Sequence, residues 1–552
     1  MNESLLLTLW LLPLLLVPLA LRANGGIWPI LAPLPALIAG LILPNGAQLE
    51  IPWLLLGTQL AFNDEARAFL LVASLLWLAA AYYAHEWMTA DGAAQRFRAC
   101  FLLAMSGNFG VIVSADLISF YLSFSAMGLA AYGLVVHGGK PSQRRAGRVY
   151  LIMTLIGEMA LFAAFVLIYQ RTDTLTPDTA QLVGARSWET GLLILAFAIK
   201  AGVLGVHFWL PLAHPAAPVP ASAVLSGAMI KTALIGWLRY LPLGEQAMPE
   251  WGAILVVTGS SATLFAFVCG MLQSNPKVLL AYSSISKMGL MVATLGLALL
   301  EPTLADTLIA AMVIFAAHHG LAKGALFLGV GLIKTSVWRH SPVLLLLPAL
   351  ALAGAPLTSG GFAKTQLNTP LSQLPGLWAD IVASALVVAA IATPLMMARF
   401  LYLLKRIERE AIIRPATQWW PWLALVAILL AIPLIKGSPA GSLTSPSGLL
   451  IAMLFAGLVW WRRPTILACW VDRIPPGDIL ALFNWFCQIT DQTKWMAFKP
   501  AQCVGEWVKQ AKTQPRLADL RQANSKQSTA GMTFGPLWLG VTTGLLMLTL
   551  WS

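Results

Sequence analysis

Apolar runs of about 20 residues recur along this chain, separated by short stretches where Arg, Lys, Asp, Glu, Gly and Pro collect. As a helix, a run of that length crosses about 30 Å of hydrocarbon. Backbone groups in lipid must pair within their own segment, so successive runs predict an α-helical bundle. About sixteen spans are expected, near 4–21, 27–44, 66–84, 98–114, 116–136, 147–169, 189–209, 218–241, 252–272, 277–299, 304–334, 343–370, 378–405, 419–435, 447–461 and 533–551. The first run begins without a basic leader (Met1-Asn2-Glu3-Ser4) and is soon followed by a second. It is therefore expected to be retained rather than cleaved as a signal peptide.

Composition agrees. Of 552 residues, 58% are hydrophobic and 11% charged, whereas a soluble domain carries about 25% charged residues. The fold class expected is all-α, a polytopic membrane protein.

The net charge of +12 is read as a topology signal. Arg22, Arg96, Arg98, Lys140, Arg144, Arg145, Arg148, Lys277, Lys334, Arg339, Lys405, Arg406 and Arg409 follow odd-numbered spans. The alternate loops hold Glu50, Asp64, Glu65, Asp173, Asp178, Glu245, Glu250, Glu301 and Asp306. The positive-inside rule then makes the first set cytoplasmic and puts both termini on the outer side of the cell's inner membrane. Basic residues scattered over short loops do not make a nucleic-acid surface. The five cysteines, Cys100, Cys269, Cys469, Cys487 and Cys503, lack a C-x-x-C spacing. No disulfide framework, metal site or iron–sulfur cluster is expected, and no cofactor.

One segment departs from the pattern. Residues 462–532 mix Arg462, Arg463, Lys494, Lys499, Lys509, Lys512, Arg516 and Arg521 with an apolar face made by Ile479, Leu482, Phe483, Phe486 and Ile489. This periodicity predicts a connector helix on the cytoplasmic surface, with Trp485 and Trp495 at headgroup level.

The candidate chemistry lies in the titratable residues inside the apolar runs. An ionised amine at mid-membrane costs roughly 2.5–3.5 kcal/mol on the mildest scale, so such residues mark ion paths by default. Lys200 has about ten apolar residues before it and about nine before Pro211. A stem of roughly four carbons cannot snorkel out from there. Gly202, Gly205, Pro211 and Pro215 follow it and weaken the helix. Lys231 lies equally deep. His319 and Lys323 are four apart, on one helix face, where together they suit a proton relay. His318 points elsewhere and is read as packing or interface. Lys364 follows Pro356, Gly360 and Gly361, a second weakened helix. Two lysine-bearing broken spans in corresponding halves mark an inverted repeat. Glu158 is the one acid well inside a span of the first half, and Lys200 is its expected partner. His207, His214 and Lys287 are accessory candidates.

The stretch WLPLAHPAAPVPASAVLSGAMIKTALIGWLRY resembles the central segment of the proton-translocating, antiporter-like membrane subunits. These occur in respiratory complex I, in Mrp-type Na⁺/H⁺ antiporters and in membrane hydrogenases of the formate hydrogenlyase kind. AFAIK, NPKVLLAYSSISKMG, HHGLAKGALF and GGFAKTQL follow the same pattern, covering roughly residues 100–410. The wording is closest to the hydrogenase relatives. The resemblance implies a fourteen-helix core of two inverted five-helix repeats with half-channels and a polar axis at mid-membrane. By position it makes Lys200 the first-repeat pumping lysine, Lys231, His319 and Lys323 the central relay, and Lys364 the second-repeat exit. Glu158 matches an acidic position often found on the sixth helix. The family's fifth-helix Trp-Glu pair is replaced here by Phe124 and Ser125. Either Glu158 takes over that role, or the subunit pumps weakly or differently.

The expected organisation is N-terminal helices (1–97), repeats at 98–241 and 252–405, C-terminal helices (419–461), the connector (462–532) and a last helix (533–552). The expected function is translocation of H⁺ or Na⁺ in the lipid bilayer. Other membrane subunits of a multisubunit complex would hold any redox cofactor, so the chain itself would be a non-redox subunit. The alternative is a structural or inorganic-carbon-uptake partner that keeps the fold without full pumping. Topology is directly testable. A reporter fused after Ser552 should be active in the outer compartment, and one after Arg145 only in the cytoplasm. A cytoplasmic signal from the C-terminal fusion would mean an odd number of spans.

Overall fold

A computed structural model describes residues 2–408, apart from 23, 24, 89, 90 and 336–340, together with 416–435 and 475–476. The chain opens with α1 (Asn2–Leu15) and α2 (Val17–Ala20), then α3 (Trp28–Leu31) and α4 (Leu34–Ile42). An antiparallel hairpin follows, β1 (Ala47–Ile51) and β2 (Thr58–Phe62), with Leu49 opposite Leu60. Next come α5 (Asp64–Trp87), α6 (Ala94–Val113), α7 (Leu117–Val135) and α8 (Pro141–Thr172). A broken pair, α9 (Ser187–Ala201) and α10 (Trp209–Ala216), leads to α11 (Val219–Gly227) and α12 (Thr232–Tyr240). Then follow α13 (Pro249–Met271), α14 (Pro276–Leu300) and α15 (Ala305–Thr335). A second broken pair, α16 (Leu346–Ala353) and α17 (Ser359–Leu371), precedes α18 (Leu377–Lys405) and α19 (Trp419–Ile435).

Among the described residues, ten helices are long and apolar enough to cross a membrane, and shorter apolar ones accompany them. Each span expected between residues 4 and 435 coincides with one helix, a broken pair or a pair in tandem. The chain is a multi-pass membrane protein. The spans expected at 447–461 and 533–551, and the surface connector, lie outside the described residues. The hairpin was not anticipated.

Both breaks are built alike. Gly202 takes φ 71° and Gly354 φ 82°, the left-handed conformation that glycine adopts without a Cβ penalty. At the first, the amide of Val203 donates to Ala198 O and that of Gly202 to Ile199 O. At the second, Ala355 donates to Leu350 O and Gly354 to Ala351 O. These are two Schellman endings, each terminating a helix inside the bundle. Counting five spans from α6 and five from α13, the fourth is broken in both sets.

The centre of the bundle is made by helices that glycines let approach closely. α14 is buried at every residue from Val278 to Leu299. Its Gly289 faces Gly259 of α13, and its Gly296 faces Gly252, so both helices carry their contact glycines seven residues apart. A Cβ on Gly289 would lie 2.5 Å from Gly259 O, and one on Gly296 2.6 Å from Gly252 O. Small residues at such points bring backbones together, the usual source of helix adhesion in lipid. α11 meets α15 the same way, at Gly227 and Gly320. The outer helices show the opposite pattern, with Met159 and Phe162 of α8 and Val387 of α18 exposed as lipid-facing residues are.

One end of the bundle is tied together by polar contacts. Asp116 accepts from the amide of Ser119, capping α7, and from that of Gln59 in the hairpin at 2.8 Å. Arg239 of α12 donates to the carbonyls of Val111, Ile112 and Ser114 where α6 ends.

The glycine contacts make a stability prediction. Gly289→Ala sets a methyl group against backbone that cannot swing away, and should cost about 1–3 kcal/mol. Gly92→Ala, with nothing within 4 Å of the added Cβ, should be neutral. Thermal unfolding in detergent checks both. Equal melting of Gly289→Ala and the unaltered protein would refute the close-contact argument.

Candidate functional site

Lys200 sits on α9 two residues before Gly202, at the last turn of a helix that stops inside the bundle. It is 5% exposed, its Nζ lies 5.4 Å from the Phe124 ring centroid, and it has no hydrogen-bond partner. The Ile199 carbonyl beside it is taken by Trp209 Nε1 at 2.8 Å, across the break. Glu158, on α8, is as buried as Lys200, and its charge acts on that lysine. Yet the two make no ion pair, since Lys200 Nζ and Glu158 Oε1 both lack partners. Gly128 of α7 makes room for the carboxylate, because a Cβ there would stand 2.7 Å from Oε1. The Ser125 hydroxyl lies beside Glu158 but makes no hydrogen bond that meets the usual geometry.

The central residues form a tighter group. Lys231 stands in a 3₁₀ turn, Met229–Lys231, that interrupts the span made by α11 and α12. Its ammonium donates to Ser226 O. Lys323 of α15 donates to Leu280 O of α14 at 2.8 Å. Between these carbonyls the hydroxyls of Ser226 and Ser284 meet at 2.9 Å, and Ser284 also donates to Leu280 O. A two-hydroxyl bridge therefore separates the lysines. Sequence reasoning missed both serines, although SAVLSG and YSS put them in the same spans as Lys231 and Lys287. His319 is fully buried, with neither ring nitrogen partnered, and Lys231 and Lys323 are the charges that act on it most.

The accessory candidates separate. His207 lies in the break itself, edge-on to Phe265 at 5.3 Å. His214 is inside α10, stacked on Phe327 of α15 at 4.5 Å, with both ring nitrogens unpartnered. Lys287 of α14 points at Phe315, 5.6 Å from its ring centroid. Lys364 of α17 turns back onto the second break, its Nζ 3.6 Å from where a Cβ on Gly354 would sit. So each Schellman ending holds a lysine against it. A helix C-terminus carries partial negative charge and suits a cation.

Lys277 has a place that its loop position hid. Its Nζ donates to Ala217 O at 2.6 Å, Ser222 Oγ at 3.1 Å and His214 O at 3.3 Å. With Gln143, which donates to Ala216 O, it clamps the carbonyls where α10 passes into α11. A clue was available. Lys277 stands just inside the helix start made by Asn275 and Pro276, where a cation is unfavourable unless acceptors reach it from elsewhere.

A cavity of about 540 Å³ lies apart from these residues, beside His85, Asp91, Gln95 and Arg98. Among the described residues no group of His, Cys, Asp and Glu is arranged to hold a metal ion.

Residues 114–373 match the family described as NADH:quinone oxidoreductase/Mrp antiporter, transmembrane. Hydrogenase-4 component B of Escherichia coli is 30% identical over 301 residues, covering 50% of this chain and 44% of that protein. A Na(+)/H(+) antiporter subunit of Alkalihalophilus pseudofirmus is 26% identical over 405 residues, covering 68% of this chain and 80% of that one. The chain spans about half the length of several curated relatives it matches. In fold it is similar to a chain of the Mrp complex from Dietzia sp. DQ12-45-1b, with a TM-score of 0.72 at 19% identity, covering 95% of this chain and 61% of that one. Through residues 114–373 the chain is thus similar to the NADH:quinone oxidoreductase/Mrp antiporter family of membrane subunits.

Proposed function

We propose that this chain moves protons across the cytoplasmic membrane as one subunit of a larger complex, with Lys200, Lys231, His319, Lys323 and Lys364 as carriers. The observation that carries this reading is a set of buried polar atoms without protein partners inside an apolar bundle: Lys200 Nζ, Glu158 Oε1 and both ring nitrogens of His214 and His319. Each would cost about 1–3 kcal/mol if left unsatisfied. Water threaded between them offsets that cost and supplies a wire for protons. His207, His214 and Lys287 join the same path as accessory members.

The chemistry favours H⁺ over Na⁺. A hard cation needs several oxygen ligands, and Glu158, also on the proposed path, is its one carboxylate. Amines and imidazoles take and release protons instead. A lysine serves as a switch because neighbouring charge and burial both bear on whether it stays ionised. The energy would come from partner subunits, through a redox reaction or an ion gradient. In this reading both termini lie on the outer side, which the distribution of basic loop residues favours, and the repeats at 98–241 and 252–405 each supply half the path.

A second reading, that of a subunit keeping the fold without full pumping, draws on Ser125 and on the missing Glu158–Lys200 ion pair. The Glu158 variant below separates the two.

Lys200→Ala should abolish transport while the protein still inserts and assembles. Lys200→Arg should impair it too, because arginine does not release its proton. Transport is read from a pH-sensitive dye in vesicles carrying the assembled complex. An unaffected Lys200→Ala would sink the pumping role of this half.

Glu158→Gln keeps the shape and removes the charge, and should lower transport about as far as Lys200→Ala does. Adding Ser125→Glu to that variant should restore part of it, since position 125 lies beside the same carboxylate site. Normal transport by Glu158→Gln would favour the second reading.

A further inference from the structure

α15 packs against α11 and also against α17, and its adjacent histidines divide between these neighbours. Successive helix residues point about 100° apart. His319 belongs with Lys231 and Lys323, on the side where Gly320 meets Gly227 of α11. His318 faces α17. Its Nδ1 is 2.9 Å from Ser359 Oγ, and its Cε1 is 3.0 Å from where a Cβ on Gly360 would sit. It is buried, so no interface role is open to it among the described residues.

Two further contacts extend the arrangement in both directions. Behind His318, the Phe315 ring lies edge-on at 6.3 Å, and Lys287 Nζ points at that same phenyl ring. Lys287 and Lys231 are the charges that act on His318. Ahead of it, Ser359 is the first residue of α17, the helix that carries Lys364 back onto Gly354. The ring thus lies between the accessory Lys287 and the second broken helix, bonded to a hydroxyl that both donates and accepts.

We infer that His318, acting through Ser359, is the proton-carrying link between the central lysines and Lys364. This rests on the path proposed above and adds a residue to it. A proton taken up at Nε2 makes the imidazolium. The Nδ1 hydrogen then passes to Ser359 Oγ, and the hydroxyl's own hydrogen moves on toward the Lys364 amine, directly or over a water. The ring is left neutral in its other tautomer, the serine is unchanged, and one proton has moved.

The test is dye-reported proton transport in vesicles carrying the assembled complex. His318→Asn keeps a hydrogen-bonding group near the Nδ1 position but takes up no proton, whereas His318→Ala removes both. Ser359→Ala deletes the hydroxyl and Ser359→Thr restores it. Transport should fall to background in His318→Asn, His318→Ala and Ser359→Ala, and persist in Ser359→Thr. If His318→Asn or Ser359→Ala transports normally while Lys364→Ala does not, the link is overturned and the lysine path stands. If Lys200→Ala and Lys364→Ala also transport normally, the path itself fails. Should His318→Ala not accumulate, His318→Asn and the serine pair decide alone.

Discussion

An ammonium group inside a bundle surrounded by lipid must be solvated by oxygen, and in this protein the oxygen is mostly the main chain's own. Lys231 donates to Ser226 O, Lys323 to Leu280 O, and Lys277 to two carbonyls at the end of α10. Carbonyl dipoles can take over part of water's role only where the backbone offers spare acceptance, at helix ends, in 3₁₀ turns and at bifurcated bonds. That requirement is met in part at irregular points of the bundle. The 3₁₀ turn at Lys231 and the Schellman endings at Gly202 and Gly354 put carbonyl-rich ends at the depth of the lysines. Lys200 and Lys287 differ, for their heads face the aromatic rings of Phe124 and Phe315. A ring face attracts a cation without fixing its proton.

Close packing makes this solvation possible. α14 supplies the carbonyl for Lys323, a hydroxyl toward Ser226, and Lys287 itself, so it has to stand at the centre of the bundle. The paired glycines Gly252–Gly296 and Gly259–Gly289 hold it there, leaving no side chain between its backbone and that of α13. Gly227 and Gly320 do the same for α11 and α15, the helices that carry most of the central group. The glycines therefore position the chemistry while taking no part in it.

Span positions, the broken helices and the buried lysines were legible in the sequence because each leaves a one-dimensional mark. A lysine ten residues deep in an apolar run, or glycine and proline within a span, has few other meanings. What escaped depends on helix phase or on long-range partners. His318 reads as packing or interface, and its bond to Ser359 shows only once α17 is known to lie on its side of α15. Lys277 reads as a loop charge until the α10–α11 junction is seen to fold over it. Glu158 and Lys200 were expected to pair from their rarity, but composition says nothing about the separation of two side chains on different helices. The β1–β2 hairpin was missed because its strands are only five residues long and carry Gln48, Glu50, Thr58 and Gln59, which read as a polar linker between spans. The turns at Gly46 and Gly57 were the available sign.

The contacts of Arg239 bear on how such a chain is assembled. Its guanidinium satisfies carbonyls at the end of α6, and the nearest of these belongs to a residue 125 positions earlier in the chain. Synthesis delivers α6 and α7 to the membrane long before α12 exists. Until α12 arrives, the carbonyls ending α6 lack the guanidinium that satisfies them in the finished fold. The contact between α6 and α12 is therefore completed only at the last of the five spans that begin with α6. A chain interrupted before α12 would leave α6, α7 and the hairpin inserted yet unlocked, a ready substrate for the proteases that clear unfinished membrane proteins.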